Sequence, residues 1–399
     1  MQPQSIAIIG AGTAGLATAA LLAEQGHHIT LIERAEALAP VGAGLLLQPT
    51  GLSVLKEMGL YQAMLGYGAR VDALVGHTRE GRRIMNTTYR SLDVHSHGLG
   101  VHRASLCHVL DQHLHTLPHQ RLMGCTVSAV ETLADHATVI AEQAGEPCRL
   151  SFDAVLIANG SHSRLRPAAW TRYDRLYPWG AMWAMQPMVE SFAAPLLQQR
   201  YHQAGQMAGI LPTGCRPDQP EQALASFFWS LPVAQMNDWQ HPDFDFAGWR
   251  QQALTLWPQL ESVLAPLTHQ KQLLPATYRD VIMHHWGENR LGIIGDAAHA
   301  MSPQLGQGAN MALLDARALG QAVANTDNWP QTWAHYHRQR EPQIRFYQRM
   351  SRWLTPAFQS HSRTVSTGRD LFFPIMERVP WLRMQMAKTV AGRKRSLLD

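Results

Sequence analysis

An acid and a glycine turn lie close together in the stretch 291–316, and their residue types could bind a ligand. Asp296 directly follows an apolar run, 291–294, and a carboxylate at the end of a buried strand needs hydrogen-bond donors, such as the hydroxyls of a ribityl chain. The turn Gly306-Gln307-Gly308 lets the backbone approach a flat ligand, and the predicted helix 309–325 begins there with its positive end. The pattern favours a flat ring that gains negative charge on reduction. An ordinary strand, loop and helix in an α/β core is the alternative.

A second glycine turn, near the N-terminus, has the spacing of a dinucleotide-binding fingerprint. It lies between a predicted strand, 5–9, and an alanine-rich helix, and the next predicted strand, 28–32, ends at Glu33 and Arg34. The fingerprint positions are Gly10, Gly12, Ala14 and Gly15. The first glycine makes the tight turn, the second admits a pyrophosphate, and the last lets the helix pack on the strand. Glu33 can then accept hydrogen bonds from the adenosine ribose, in either FAD or NAD.

The stretch 295–316, GDAAHAMSPQLGQGANMALLDA, resembles the second flavin-contact motif of the single-component, class A flavoprotein aromatic hydroxylases. That family includes p-hydroxybenzoate, salicylate and ubiquinone-pathway hydroxylases. The order of the other motifs along the chain agrees with the family. The resemblance implies that the fingerprint binds FAD, and that NADPH or NADH binds transiently as a co-substrate.

The resemblance also implies roles for individual residues. Arg103 matches the arginine of the family's RxxL position, where it would reach the FAD phosphates, and the loop Val41-Gly42-Ala43-Gly44 would follow the cofactor. The loop 159–166 resembles the family's DGxxSxxR motif, but Asn159 replaces the aspartate and carries no charge. The implied cofactor-binding residues are Gly10, Gly12, Ala14, Gly15, Glu33, Arg34, Ala43, Arg103, Val127, Asp296, Gly306, Gly308, Ala309 and Asn310.

The reaction that the resemblance implies is a hydroxylation (EC 1.14.13.- type). NAD(P)H reduces FAD, O2 adds at C4a, and the flavin hydroperoxide transfers one oxygen atom to an electron-rich ring. Pro303, Gly306 and Gln307 are the predicted catalytic positions, with Pro303 beside the oxygen-reacting edge. The alternatives are another FAD-dependent oxidoreductase or reductase, a halogenase, whose usual WxWxIP segment is absent, and a non-catalytic flavin-binding module.

The predicted fold is α/β, with a Rossmann-like FAD-binding domain (1–72, 101–172 and 278–328), an inserted β-sheet substrate domain (73–100 and 173–277) and a C-terminal helical segment (329–399). A strand is expected over 121–129, and Pro356, Pro374 and Pro380 are expected to interrupt the final helices. The candidate substrate-contacting residues are Leu47, Trp183, Tyr201, Met207 and Trp229. Core packing is the alternative interpretation for Leu47, and it is the more usual role of an aromatic stripe, whereas Tyr201 is a candidate polar anchor.

Composition excludes several classes of protein. In 399 residues, 46% are hydrophobic and 16% charged, which is typical of a globular chain, and a net charge of +4 is too small for a nucleic-acid-binding surface. The four cysteines have no CxxC spacing, no histidines have a recognised metal spacing, and no apolar run is long enough to span a membrane. We therefore expect a cytoplasmic enzyme without a metal, monomeric or homodimeric. The basic run Arg393-Lys394-Arg395 is expected to be a solvated tail or a weak peripheral membrane contact.

Overall fold

The fold is taken from a computed structural model, which describes residues 1–39, 42–397 and 399. Its strands are β1 (Ser5–Ile9), β2 (His28–Ile32), β3 (Gly44–Leu47), β4 (Ala69–Val71), β5 (Ala73–Thr78), β6 (Arg83–Thr88), β7 (Gly98–His102), β8 (His119–Leu122), β9 (Cys125–Thr132), β10 (Ala137–Gln143), β11 (Glu146–Phe152), β12 (Ala154–Ile157), β13 (Thr171–Pro187), β14 (Leu196–His202), β15 (Gln206–Arg216), β16 (Gln219–Pro232), β17 (Leu274–Met283), β18 (Gly287–Glu288) and β19 (Leu291–Ile293). Its α-helices are α1 (Thr13–Glu24), α2 (Pro49–Glu57), α3 (Tyr61–Tyr67), α4 (Arg103–His115), α5 (Met236–Gln240), α6 (Phe246–Leu256), α7 (Glu261–Leu264), α8 (Asp296–His299), α9 (Gly308–Ala324), α10 (Trp329–Phe358), α11 (Arg363–Arg378) and α12 (Pro380–Val390).

The nucleotide-binding part is built on a six-stranded sheet in the order β18-β19-β12-β1-β2-β8. Apart from β18, neighbouring strands are parallel, and the apolar residues of β1, β2, β12 and β19 are buried in a core that also contains residues of α1, α9 and the antiparallel strand β10. Ile9 pairs with Ile157, and Ile157 pairs with Ile293. The loops that follow β1, β12 and β19 therefore leave the sheet side by side at its carboxyl edge, where ligands of such sheets bind.

A seven-stranded sheet in the order β17-β13-β16-β15-β14-β5-β6 forms the second layer. Its strands come from two separate segments of the chain, which both contain period-two apolar patterns. The bounds differ slightly from the prediction, since β13 begins at Thr171 and β17 runs across residue 278. The small sheet β3-β7-β4 packs against β15, and Gly100 allows this because a Cβ there would lie 1.8 Å from the carbonyl oxygen of Pro212.

The prediction of one strand over 121–129 is wrong, because this stretch contains parts of two strands that lie in different sheets. Gly124, with φ of 63°, breaks the run between β8 and β9, and its N–H donates to the carbonyl of Ala35 (3.0 Å). β8 ends the parallel sheet, whereas β9 belongs to an antiparallel sheet with β10 and β11. The apolar alternation continues across the break, so only the glycine marked it in the sequence.

The prolines of the last helices do not act as predicted. Pro356 lies inside α10 and Pro374 inside α11, and only Pro380 begins a helix. Beside Pro356, the Thr355 hydroxyl lies 2.8 Å from Ser302 Oγ, which ties this end of α10 to the loop after α8. Within the described part of the chain, no helix has the length and apolar character needed to cross a bilayer.

The basic run near the C-terminus is not a freely solvated tail, which corrects that prediction. Lys394 is buried, and its Nζ donates to Gln385 Oε1 (2.7 Å), to the carbonyl of Leu397 (2.9 Å) and to a carboxyl-terminal oxygen of Asp399 (2.8 Å). Arg395 donates through its guanidinium to the carbonyl of Gln339 (3.3 Å). These bonds fix the segment to the α10 and α12 side of the molecule.

Candidate active site

The fingerprint turn after β1 packs directly on the loop that follows β12. Gly10 has φ of 107°, and a Cβ placed on it would lie 2.7 Å both from the carbonyl oxygen of Ala158 and from Asn159 Cα. Its N–H donates to the carbonyl of Ile32 at the end of β2 (2.7 Å). A Cβ on Gly15 would lie 1.9 Å from the Gly10 oxygen, so both positions require glycine.

The turn after β19 meets the fingerprint helix at the same edge. A Cβ on Gly295, whose φ is 61°, would lie 2.8 Å from the Cβ of Ala14 in α1. A Cβ on Gly308, the first residue of α9, would lie 3.6 Å from Asp296 Oδ1. The structure thus brings together the two glycine turns, which are nearly 300 residues apart in the sequence.

This edge offers unused hydrogen-bonding groups to a ligand. Asp296 is exposed, and within the described residues its carboxylate accepts no hydrogen bond and forms no ion pair. The N–H groups of the first residues of α9, Gly308, Ala309 and Asn310, precede the first intrahelical bond, from Met311 to the carbonyl of Gln307 (2.8 Å). An acceptor for ribityl hydroxyls therefore lies beside a helix N-terminus that favours negative charge.

The space next to Gly12 is free of close contacts and faces the guanidinium of Arg103. The nearest atom to a Cβ built on Gly12 would be Arg103 Nη2, at 3.9 Å. Arg103 begins α4, and its N–H donates to the carbonyl of Ala43 (3.1 Å); Val41, in the same predicted loop, lies outside the described residues. The arrangement of a glycine turn, the N-terminus of α1 and a guanidinium fits a pyrophosphate.

Glu33 is oriented toward the fingerprint by two backbone bonds. Its Oε2 accepts from the N–H of Ala11 (2.8 Å) and its Oε1 from the N–H of Ala35 (3.0 Å). Arg34 is exposed to solvent. Val127 lies in β9, which starts at Cys125, whose N–H donates to the Glu33 carbonyl (2.9 Å). These residues line the same side of the parallel sheet, at the end where an adenosine would lie.

These groups match the chemistry of FAD, and comparison with known proteins decides the family. A family model described as FAD binding domain matches residues 4–349. The chain belongs to this FAD-binding family. The predicted class A flavoprotein hydroxylase family and the predicted FAD cofactor are therefore confirmed, as is an enzyme of the FAD-dependent monooxygenase type.

Individual relatives agree with this family over almost the whole chain. The 3-amino-4-hydroxybenzoate 2-monooxygenase PtnB3 of Streptomyces platensis is 28% identical over 411 residues, which covers 97% of this chain and 98% of that protein. HpxO of Klebsiella pneumoniae, solved with FAD, has a TM-score of 0.80 at 20% identity and covers 98% of this chain and 99% of its own. PqsL of Pseudomonas aeruginosa, solved with 2-aminobenzoylacetate, has a TM-score of 0.77 at 19% identity and covers 92% and 99%. The two structures support the fold.

The side chain of Gln307 points away from the FAD site. Its Nε2 donates to the carbonyls of Leu305 (3.1 Å) and Val390 (2.7 Å), so it ties the turn to the C-terminal segment. The adjacent Thr50 hydroxyl donates to the carbonyl of Ala391 (3.1 Å). The Gln307 Nε2 is therefore taken up in bonds within the protein, whereas its buried Oε1 has no partner among the described residues, and Pro303 is exposed at the start of the turn.

The oxygen and the nitrogen of the Asn310 side chain both have hydrogen-bond partners within the protein. Its Oδ1 accepts from the N–H of Gln48 (2.7 Å), and its Nδ2 donates to the carbonyls of Leu46 (3.0 Å) and Gly306 (2.9 Å). A Cβ on Gly51 would lie 2.2 Å from Asn310 Oδ1, so the contact is tight. Asn310 therefore holds β3 and α2 against the turn, and only its backbone N–H can reach FAD.

Gln48 was missed by the sequence analysis as a site residue. It is fully buried, its Oε1 accepts from the hydroxyl of Tyr89 (2.5 Å), and its Nε2 has no partner among the described residues. That Nε2 lies 3.6 Å from a Cβ built on Gly306. Buried amide groups are normally paired, so a donor at the Gly306 turn is available to a bound molecule. The only sign in the sequence was one polar residue ending the apolar run before Pro49.

A buried charged cluster supports the turn from behind. Asp315 Oδ2 accepts from the N–H of Gly295 (2.9 Å) and lies 2.5 Å from His299 Nε2, and Oδ1 accepts from Arg340 Nε (2.7 Å). Gln343, beside Arg340, donates to the carbonyl of Gly392 (2.6 Å). Burial alone would raise the pKa of Asp315, but the facing charges and hydrogen bonds of His299 and Arg340 outweigh it and hold that pKa below its ordinary value.

A second arginine fixes the loop that contains Asn159. Arg166 Nε donates to the carbonyl of Ala297 (2.6 Å), and its Nη1 donates to the carbonyl of Ser163 (2.6 Å) and to Asp174 Oδ2 (2.9 Å). Its side chain is almost completely buried. Arg166 thus connects this loop to α8, directly behind Asp296.

One face of the seven-stranded sheet looks toward the FAD site. Ser226 Oγ accepts from the N–H of Gly44 in β3 (3.3 Å), and Ser230 Oγ accepts from Gln359 Nε2 after α10 (2.8 Å). Phe228 lies between these two serines on the same face, opposite Trp183 in β13. Both aromatic side chains are only partly buried, so they can contact a ligand between the sheet and the cofactor edge.

Trp229 is on the opposite face of the sheet, which corrects its assignment to the substrate pocket. It is 4% exposed and lies edge-on to Trp249 in a separate core, with ring centroids 6.1 Å apart. Leu47 is also fully buried, in the core of the nucleotide-binding part. Tyr201 and Met207 pack under Phe358 of α10 in a third cluster. Tyr201 and Met207 share the face of Trp183 but are buried, so only Trp183 of the five predicted substrate residues is partly open.

Proposed function

We propose that the chain is an NAD(P)H- and O2-dependent monooxygenase that hydroxylates a small aromatic molecule. The observation that carries the proposal is the convergence of Asp296, the free amides of α9 and the fingerprint turn at one edge of the parallel sheet, beside which Trp183 and Phe228 would form a flat wall. Flat aromatic side chains above a redox ring favour a flat substrate. The names of relatives, such as 3-amino-4-hydroxybenzoate 2-monooxygenase, support an aromatic ring with polar substituents.

The two layers have separate roles in this proposal. The parallel sheet and the motifs at its carboxyl edge form the FAD-binding domain, and the seven-stranded sheet forms the substrate domain. Bound FAD would supply the reduction of O2 and the transfer of one oxygen atom. Glu33 would bind the adenosine ribose, Arg103 the pyrophosphate, and Asp296 the ribityl hydroxyls.

The chain itself positions the redox ring and excludes water from it. The N–H groups of 308–310 favour the negative charge of the reduced ring, and the Gln48 amide provides one further donor at Gly306. The aromatic face of the sheet, closed by the end of α10 through Gln359 and Ser230, shields the reacting edge from solvent.

Oxygen incorporation tests this function. The purified protein should be yellow, and NADPH or NADH oxidation should rise when an aromatic acid, phenol or quinolone is added. With 18O2, one labelled atom should appear in the product. Stimulated oxidation that yields only hydrogen peroxide with every substrate in such a panel, or a reduced or halogenated product without label, would contradict the proposal.

The side chains of Phe228 and Trp229 lie on opposite faces of the sheet, so alanine substitutions at these two positions form a matched pair. Phe228→Ala should raise KM for the aromatic substrate about tenfold or more, because it removes ring contact in the pocket, and it should cost less stability than Trp229→Ala, because Phe228 is only partly buried. Trp229→Ala should instead lower the free energy of unfolding by about 3–5 kcal/mol, because it empties a core position. Steady-state kinetics and urea unfolding measure both effects. Equal effects of the two substitutions on KM would contradict the assigned faces.

A further inference from the structure

Helix α11 packs Phe373 and several polar side chains against the protein, and it presents most of its large apolar side chains to solvent. Arg369 is buried, and its guanidinium donates to the carbonyls of Ala357 (2.8 Å) and Gln203 (3.0 Å). Glu377, two turns later on the same side, accepts from the N–H of Asn86 in β6. A surface helix normally buries its apolar stripe, whereas α11 leaves most of its large apolar side chains exposed.

The outward side forms a continuous apolar stripe. Leu371, Phe372 and Ile375 are 59%, 55% and 53% exposed, and the spacing of 371, 375 and 379 places them on one face of the helix. Trp381, at the start of α12, is 59% exposed beside them. Six of the twelve large apolar side chains that are exposed in the described part of the chain lie between residues 365 and 381. This stripe is defined here as the α11 surface.

Cations surround the α11 surface, and the nearby acids are turned away from it. Arg363, Arg378 and Arg383 form no ion pair within the described residues. Asp370 pairs with Arg369, and Glu377 bonds to the backbone of β6. The rim of the stripe therefore carries unneutralised positive charge.

We propose that the α11 surface binds peripherally to an anionic lipid bilayer, with α11 lying in the plane of the interface. An apolar stripe with a basic rim is the pattern of an interfacial helix, and an exposed tryptophan is favoured at the headgroup level. Anionic headgroups would neutralise Arg363, Arg378 and Arg383, while Leu371 and Ile375 enter the acyl boundary. A two-fold pairing of α11 with a second copy would bring the same uncompensated arginines together, so the charge pattern favours lipid over self-association.

The bonds of Arg369 and Glu377 hold α11 against the seven-stranded sheet. The membrane contact is therefore made by a fixed helix of the folded protein. It does not use the basic run near residue 394, which is bound to the protein surface. This places the membrane contact at the edge of the seven-stranded sheet that ends in β6.

Vesicle sedimentation tests the proposal with the full FAD-loaded chain. The protein should sediment with vesicles of phosphatidylcholine and phosphatidylglycerol, and much less with pure phosphatidylcholine. The double substitution of Leu371→Ser with Ile375→Ser should lower vesicle binding about tenfold or more, because two inserted side chains are lost. Arg378→Gln with Arg383→Gln should lower it about tenfold on anionic vesicles only.

The matched control is Val94→Ser with Leu133→Ser, which removes two exposed apolar side chains at a distance in sequence from α11. It should leave vesicle binding unchanged. FAD absorbance of each variant reports that the fold is intact. Wild-type protein that does not sediment with anionic vesicles overturns the proposal, as does equal loss in the control. A dimer in analytical ultracentrifugation that the Leu371→Ser and Ile375→Ser variant dissociates, without vesicle binding, would instead assign the α11 surface to self-association.

Discussion

Asp296→Ala should lower the affinity of the protein for FAD by about one to two orders of magnitude. Hydrogen bonds to a charged acceptor contribute roughly 1.5–3 kcal/mol, and the ribityl hydroxyls would lose this acceptor. Asp296 is exposed and has no partner within the described residues, so the stability of the apoprotein should change by less than about 0.5 kcal/mol. The effect is therefore on binding, separate from folding.

Titration of the apoprotein with FAD, followed by flavin fluorescence, measures this effect. Asp327→Ala is the matched control, because Asp327 is another exposed aspartate and lies beyond the far end of α9. Asp296→Asn should fall between wild type and Asp296→Ala, since the amide keeps one acceptor but loses the charge. Wild-type affinity in Asp296→Ala would show that Asp296 does not contact the cofactor.

Asp315→Asn should lower the free energy of unfolding by about 3–5 kcal/mol, because it leaves the charge of Arg340 buried without its counter-ion. It should also weaken FAD binding, since the Asp315 carboxylate accepts the N–H of Gly295 and fixes the turn before Asp296. Urea unfolding of the apoprotein measures the first effect. Glu57→Gln is the control, because Glu57 forms a surface ion pair with Arg317, which lies in α9 like Asp315. This substitution should lower the free energy of unfolding by at most about 1 kcal/mol. An equal loss of unfolding free energy in the two variants would contradict the argument that burial makes the Asp315 ion pair costly to break.

The same pair of variants should differ in their response to acid. The pKa of Asp315 is lower in the folded protein than its ordinary value of 3.8, so the folded state binds this proton less readily than the unfolded state. The stability that this group contributes is present above pH 3.8 and is lost as the pH falls below it. Asp315→Asn should lack this part of the acid dependence, which unfolding curves at several pH values would reveal.

The sequence predicted the two glycine turns because their motifs obey local rules. Gly10 and Gly15 have a spacing set by one strand, one turn and one helix, and Asp296 and Gly308 have a similarly local frame. The two turns lie close together because the strands that precede them, β1 and β19, are both parallel members of the same sheet. The direction of the side chains beyond the motifs was less predictable, as with Gln307 and its bond to Val390.

Residues that depend on distant partners were missed or misassigned. Asp315 looked like an ordinary helix residue, because its partner Arg340 comes from the next helix. Trp229 and Phe228 differ by one position in a strand, and only the register with β13 and the contacts of the sheet decide which side each faces. The burial of Lys394 depends on bonds that the composition of its segment does not indicate.

The bonds that residues 390–392 make with Thr50, Gln307 and Gln343 have a consequence for biosynthesis. Translation is directional, so this segment is made after the fingerprint and after the turn that it completes. The N-terminal fingerprint region can fold early in the nascent chain. The turn 306–308 can form its bonds to residues 390–392 only after residue 392 has left the ribosome. We therefore expect stable flavin loading to follow the synthesis of this segment, and arrested chains that end before it to retain FAD poorly.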